Sequence, residues 1–274
     1  MFQRRFSRIL SLSATAQADS RTMKNPIAFL LLALISITSP VVAAPSESSF
    51  PDLLAQAEVV TRPSVDELAR LAPDADPDVL ALGLATMQCA QLNGVGEDAE
   101  RLAVIDYSRS SLTPRLWVFD LARDKLLYHE VVAHGQGSGG DIPDHFSNQD
   151  GSHASSLGLF YTRQTYEGKN GYSLRMKGLE PGFNDAAMSR AIVIHGADYV
   201  NPALGQRQGR LGRSWGCPAL RPGIAGDIID VLKDGQFVFS YYPERDWLMR
   251  SALSQCAQAR IDKEHTDTRF ISVR

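Results

Sequence analysis

Two residues of this chain have the types and setting for nucleophilic chemistry. Cys217 lies in the polar turn Arg213-Ser214-Trp215-Gly216-Cys217-Pro218-Ala219, and His195 closes the apolar run Ala191-Ile192-Val193-Ile194. A cysteine attacks a carbonyl as the thiolate, and a nearby imidazole is the usual means of forming one near neutral pH. The apolar run reads as a buried strand, and a strand end holds a side chain rigidly at the rim of a sheet. Glycine before the cysteine lets backbone N–H groups come close to a substrate carbonyl, so Gly216 and Cys217 are the expected oxyanion donors. The competing reading of Cys217 is a small buried apolar residue. That of His195 is a core histidine bonded to backbone.

Further motifs decide between these readings. Ile194-His195-Gly196-Ala197, a Gly/Arg-rich loop and then Ser-Trp-Gly-Cys-Pro-Ala are accompanied by Asp106-Tyr107-Ser108, Arg115-Leu116-Trp117-Val118, Val132-Ala133-His134-Gly135, Phe146-Ser147-Asn148, Ser155-Ser156-Leu157-Gly158 and Tyr166-Glu167-Gly168. In this order and spacing the chain resembles the murein L,D-transpeptidase catalytic domain family, the proteobacterial branch of the YkuD-like fold. The resemblance runs from about Leu102 to Tyr242. It implies a β-rich mixed α/β fold, a YkuD-like β-sandwich, and a cysteine acyltransferase that acts on peptidoglycan stem peptides and is a carbapenem target. It also implies no cofactor and no metal, and a backbone carbonyl at Gly196 that orients the His195 ring. A wall-linked protein is a second class of partner. The alternatives are an L,D-carboxypeptidase or wall-linkage hydrolase with the same Cys-His site, and a non-catalytic cell-wall-binding protein on the same fold.

The chain departs from better-known members at two places. Trp215 stands where they have histidine, and Ala219 where they have arginine two residues after the cysteine. Arg213 or Arg221 is expected to take over that charge. Arg210 and Arg213 flank the loop and could hold a stem carboxylate by forked hydrogen bonds, or be solvated charge. Ser214 is expected to position His195 or the substrate, the alternative being a turn-forming hydroxyl, and Trp215 to add apolar contact beside the nucleophile. His134 and Ser156 are expected along the donor side of a groove. Three histidines and three aspartates between His134 and Ser156 match no metal-ligand spacing. That polar stretch reads as a long loop forming a lid or groove wall.

The elements that must position these residues follow from patterning. Ser64 and Glu67 form a capping box for a short helix, and Asp76-Pro77 opens a helix over 79–92 that Gly94 stops. From Arg101 the sequence reads as strands over 102–107, 115–120, 125–133, 157–166, 173–177, 191–195 and 236–242. Helices are expected over 224–233 and, capped by Asp246, over 247–259, followed by a polar tail. The domains are thus a presequence (1–43), a linker (44–62), a helical extension (63–100), the catalytic domain (101–245) and a C-terminal helix and tail (246–274).

The chain has 274 residues, 44% of them hydrophobic, with net charge −3, enough for one good core. Met23-Lys24, the apolar run 27–44 and its Ala-rich exit read as a secretory signal peptide, with Met23 as the true start. Removing residues 1–43 takes away five basic groups and one acid and leaves a net charge of −7. Neither a nucleic-acid binder nor a membrane span after cleavage is expected, and the location is periplasmic. Export makes the three cysteines informative. Cys89, with Leu82, Ala85 and Leu92, and Cys256, with Met249, Ala252 and Leu253, read as inward-facing helix positions. We expect a Cys89–Cys256 disulfide; the alternative is two separate buried thiols.

Overall fold

Apolar runs flanked by turn residues build one continuous sheet here. A computed structural model describes residues 63–272, with side chains through Thr266. The expected signal peptide, start site and linker lie outside them. The described residues fall in one unit, 58–274. Its strands are β1 (Arg101–Asp106), β2 (Leu116–Asp120), β3 (Lys125–Glu130), β4 (Gly158–Gly168), β5 (Gly171–Gly178), β6 (Val193–Gly196), β7 (Ala219–Leu220) and β8 (Phe237–Tyr241). Their order is β3-β2-β1-β8-β4-β5-β6-β7, and pairing is antiparallel except for β1–β8 and β6–β7. The sheet curls until its two edges meet. Ala133, just past β3, exchanges N–H···O bonds with Ala219 of β7, and Gly135 bridges to Ser214. The loop that carries Cys217 is therefore held at the seam.

Helices cover the sheet. Ser64 and Glu67 close their capping box on α1 (Val65–Leu71). Asp76 accepts the Asp78 N–H at the start of α2 (Pro77–Leu92), with Pro77 in the first turn where its missing N–H costs nothing. α2 is buried on nearly every side between Val79 and Ala90, a stretch whose only polar side chains besides Cys89 are Thr86 and Gln88. It packs on β1, β8 and β4 on one side and on the C-terminal helix on the other. α3 (Pro202–Gln208) and α4 (Pro222–Leu232) flank the Cys loop, and α4 lies on β6. At the C-terminus two helices replace the expected single one. Glu244, not Asp246, caps α5 (Arg245–Arg250), and extended backbone at Ser251 separates it from α6 (Ala252–Ser272). The polar tail expected after the helix is itself helical as far as Ser272.

A disulfide joins Cys89 of α2 to Cys256 of α6, with Cα atoms 6.2 Å apart. The stripes drawn from sequence around each cysteine need correction. Leu92 is 72% exposed at the end of α2, and Met249 is 59% exposed on α5, beyond the break. Ala252 is exposed as well, while Leu253 faces inward as expected and is joined there by Ala257.

Glu180 anchors these helices to the sheet. Its buried carboxylate accepts Leu159 N–H on one oxygen, and Trp247 Nε1–H and the Ser251 hydroxyl on the other. Burial raises its pKa against these donors. Glu180→Gln turns one acceptor into a donor that faces another donor. It should lower unfolding stability by about 1–3 kcal/mol, the cost of a buried unsatisfied group, in urea titrations. An unchanged midpoint would show that the carboxylate is not an anchor.

Candidate functional site

β6 and β7 run parallel with His195 opposite Ala219, and Cys217 precedes β7 by two residues. The thiol and the imidazole thus issue from neighbouring strands. The sequence gives no period-2 signal for β7, a strand of two residues, so its pairing could not be foreseen.

The turn before Cys217 is built by Ser214. Its hydroxyl donates to Cys217 O at 2.6 Å and accepts Gly216 N–H at 3.1 Å, while its own N–H goes to His134 O. Ser214 thus takes the turn-forming alternative and shapes the nucleophile's backbone. The expected oxyanion pair needs correction: Gly216 N–H is already engaged, which leaves Cys217 N–H as its donor. Gly216 sits at φ 113°, a region closed to other residues without strain, and a Cβ there would stand 2.8 Å from Ala154 O. A Cβ on Gly135 would be 2.8 Å from Gly216 Cα, so the two glycines pack backbone to backbone.

Cys217 is the only free cysteine among the described residues. Its Sγ accepts Val193 N–H at 3.4 Å and faces Ala191 O at 3.7 Å. Burial pushes the thiol pKa up, and the Val193 N–H and the Arg190 charge pull it back. The expected lowering by His195 is therefore not what this resting geometry holds. The His195 Nδ1 lies 2.9 Å from Gly196 O. A carbonyl only accepts, so Nδ1 carries the proton and Nε2 keeps its lone pair. Burial lowers the imidazole pKa. A cavity of about 620 Å³ opens on His195, with Tyr172, Asp198 and Tyr199 among its walls.

The remaining predicted residues take other places. Trp215 is 67% exposed and stacks flat on His153, ring centroids 4.7 Å apart. Arg221 is held by both carboxylate oxygens of Glu130, and Arg213 donates to Gly139 O and Gln136 O. Arg210 donates to Leu211 O. Partners distant in sequence thus claim the two arginines expected to supply charge beside the cysteine. His134 is buried rather than on an open groove, because Arg115 Nη2 donates to its Nδ1 at 2.8 Å. Burial and that cation depress its pKa to about 3, so it stays neutral. Ser156 is also buried, donating to Ser147 O and accepting from Arg190 Nη1. The long loop packs as a wall on the cysteine turn, with the Ser155 hydroxyl bridging Gly135 N–H and Gly216 O. Arg190 was missed from sequence; it stands in a polar segment with no motif of its own.

The family model of the L,D-transpeptidase catalytic domain matches residues 71–241. Similar solved structures include an L,D-transpeptidase from Mycobacterium smegmatis, 16% identical with TM-score 0.33 over 53% of this chain and 59% of that one. The helical cell shape determining protein Pgp2 from Campylobacter jejuni is 13% identical with TM-score 0.37, over 60% and 54%. The L,D-transpeptidase LdtMt1 in complex with imipenem is 15% identical with TM-score 0.32, over 52% and 59%. The match thus spans a little over half the length of these proteins. No curated protein matches the chain in sequence. No helix among the described residues is long and apolar enough to cross a membrane. The family match spans well over half of the sequence, so the chain belongs to the L,D-transpeptidase catalytic domain family.

Proposed function

We propose that this protein is a periplasmic, cysteine-dependent L,D-transpeptidase that transfers a peptidoglycan stem-tetrapeptide donor to an amine acceptor. The observation that carries this reading is a single free cysteine in a Gly-Cys turn that leads into the strand paired with that of a histidine pinned through Nδ1. His195 Nε2 takes the Cys217 proton once the thiol gives up its contact with Ala191 O. Sγ then attacks the carbonyl at the L-centre of the diamino-acid residue. Cys217 N–H stabilises the developing oxyanion, and a donor of this kind contributes a few kcal/mol. The imidazolium returns its proton to the amine of the departing D-alanine, leaving a thioester. An acceptor amine, deprotonated by His195, attacks the thioester and restores the thiol. The proposed catalytic unit is residues 101–245, delivered across the inner membrane by the segment 1–43.

Purified protein incubated with disaccharide-tetrapeptide should release D-alanine and form cross-linked dimer, both read by mass spectrometry. Tripeptide alone, with acceptor in excess, would move the reading to an L,D-carboxypeptidase or wall-linkage hydrolase. No product, with no thiol adduct, would leave a wall-binding protein. The pH profile carries a sharper expectation. Burial lowers the His195 pKa from its ordinary 6.5, so the imidazole is a neutral base down to more acidic pH. The acid limb of kcat/KM should therefore fall below pH 6.5. A limb above that value would remove His195 from the role of base.

A further inference from the structure

Arg190 lies in the chain just before β6, and its guanidinium is half-buried against the cysteine turn. Nη1 donates to Ser147 O and the Ser156 hydroxyl, both at 2.7 Å. Nη2 donates to Ala154 O at 2.7 Å and the Ser152 hydroxyl at 3.1 Å. All four partners are neutral, so the fork is fixed in place while its charge is not cancelled by an ion pair. The same Nη2 stands 3.3 Å from the position a Cβ would take on Gly216, the residue before the nucleophile. A cation held this way, half-buried beside the turn, is screened less than one in open solvent.

We infer that Arg190 is a positioning residue for the nucleophile: a fixed positive charge that stabilises the Cys217 thiolate while its fork clamps the loop wall to the segment before β6. The inference rests on the reading of Cys217 as the reactive thiol. Its direction agrees with the charges around the sulfur, since Arg190 is the cation that lowers the Cys217 pKa against burial. The other ionisable groups that face this pair do not provide that charge. Tyr107, pushed up to about 12 by burial, and Tyr199, also raised, remain neutral phenols near neutral pH. Asp150 attracts Arg190 electrostatically without forming an ion pair with it. His195 has its pKa lowered, so it is uncharged when the thiol titrates.

With Cys89 and Cys256 bonded, thiolate absorbance titrated against pH reads Cys217, and a Cys217→Ser titration supplies the blank. Arg190→Gln keeps polar contacts and removes the charge; its thiolate midpoint should rise above that of wild type by more than the scatter of repeat titrations. Arg190→Lys keeps the charge and should titrate within a few tenths of a unit of wild type. Ser152→Ala removes one anchor of the fork and should leave the midpoint unchanged. A wild-type midpoint in Arg190→Gln overturns the inference. So does an equal rise in the Lys and Gln variants, which would mark the fork as purely structural. If the Gln variant does not fold, the Lys variant decides, since an upward shift there contradicts a role for charge. The absorbance needs no turnover. If the variants show this pattern while the wild-type protein releases no D-alanine, the transpeptidase reading falls and the charge assignment stands.

Discussion

Cys217→Ser is expected to abolish acyl-enzyme formation, with donor turnover falling by more than about a thousandfold. A serine hydroxyl is a far weaker acid than a thiol, and the base that serves the thiol is poorly matched to it. The imidazole offers a single lone pair at Nε2, and burial makes it a weaker base than an exposed histidine. The fold should survive. Oxygen replaces sulfur without added volume, and the Val193 N–H and Ala191 carbonyl still face a group that can accept and donate. Intact-mass measurement after exposure to a carbapenem should show one adduct on the wild-type protein and none on the variant, with midpoints of thermal unfolding within a few degrees. No other free thiol exists among the described residues to substitute. An adduct on the variant would place the nucleophile outside the cysteine turn and overturn the mechanism.

The parts of this site that were legible in the sequence are those set by local chemistry. An apolar run ending in histidine became β6, and the Ser-Trp-Gly-Cys string became a turn whose glycine has the positive φ that only glycine adopts freely. The capping box at Ser64 and the Asp76-Pro77 helix start are likewise short-range. What failed depends on partners far along the chain. Arg221 carries the right charge within four residues of Cys217, yet Glu130 claims it. Arg190 bonds to residues 34 to 43 positions earlier, and no spacing rule connects them. His134 reads as a groove histidine until Arg115 is found against its ring. The closure of the sheet edges through Ala133 and Ala219 is a tertiary result of twist and curl, which a linear pattern does not encode.

Breaking the Cys89–Cys256 bond should give the largest change in stability. The bond closes a loop of 167 residues, and in the chain-entropy view long loops gain most, though measured effects centre on about 2–4 kcal/mol. The local structure sharpens the expectation. α2 is buried on nearly all sides and belongs to the core with or without the bond. α6 is held by Leu253 and Ala257 near its start, but past Ala257 its residues are half-buried or exposed up to Thr266. Beyond the cysteine its ties include the Arg260 guanidinium on the Gln88 side-chain oxygen, a part-buried hydrogen bond of modest net value, and Ile261, packed against the core from a half-buried position. Cys89→Ala/Cys256→Ala should therefore lower the unfolding midpoint by about 10 °C, taking about 2–4 °C per kcal/mol for a domain this size. It should also open α6 to limited proteolysis first. Cys217 sits at the sheet seam and not on these helices, so its alkylation rate below the new midpoint should match wild type. An unchanged midpoint would mean that packing alone holds α6. A lost alkylation rate in the still-folded variant would mean that the helical layer and the cysteine turn are coupled through the sheet.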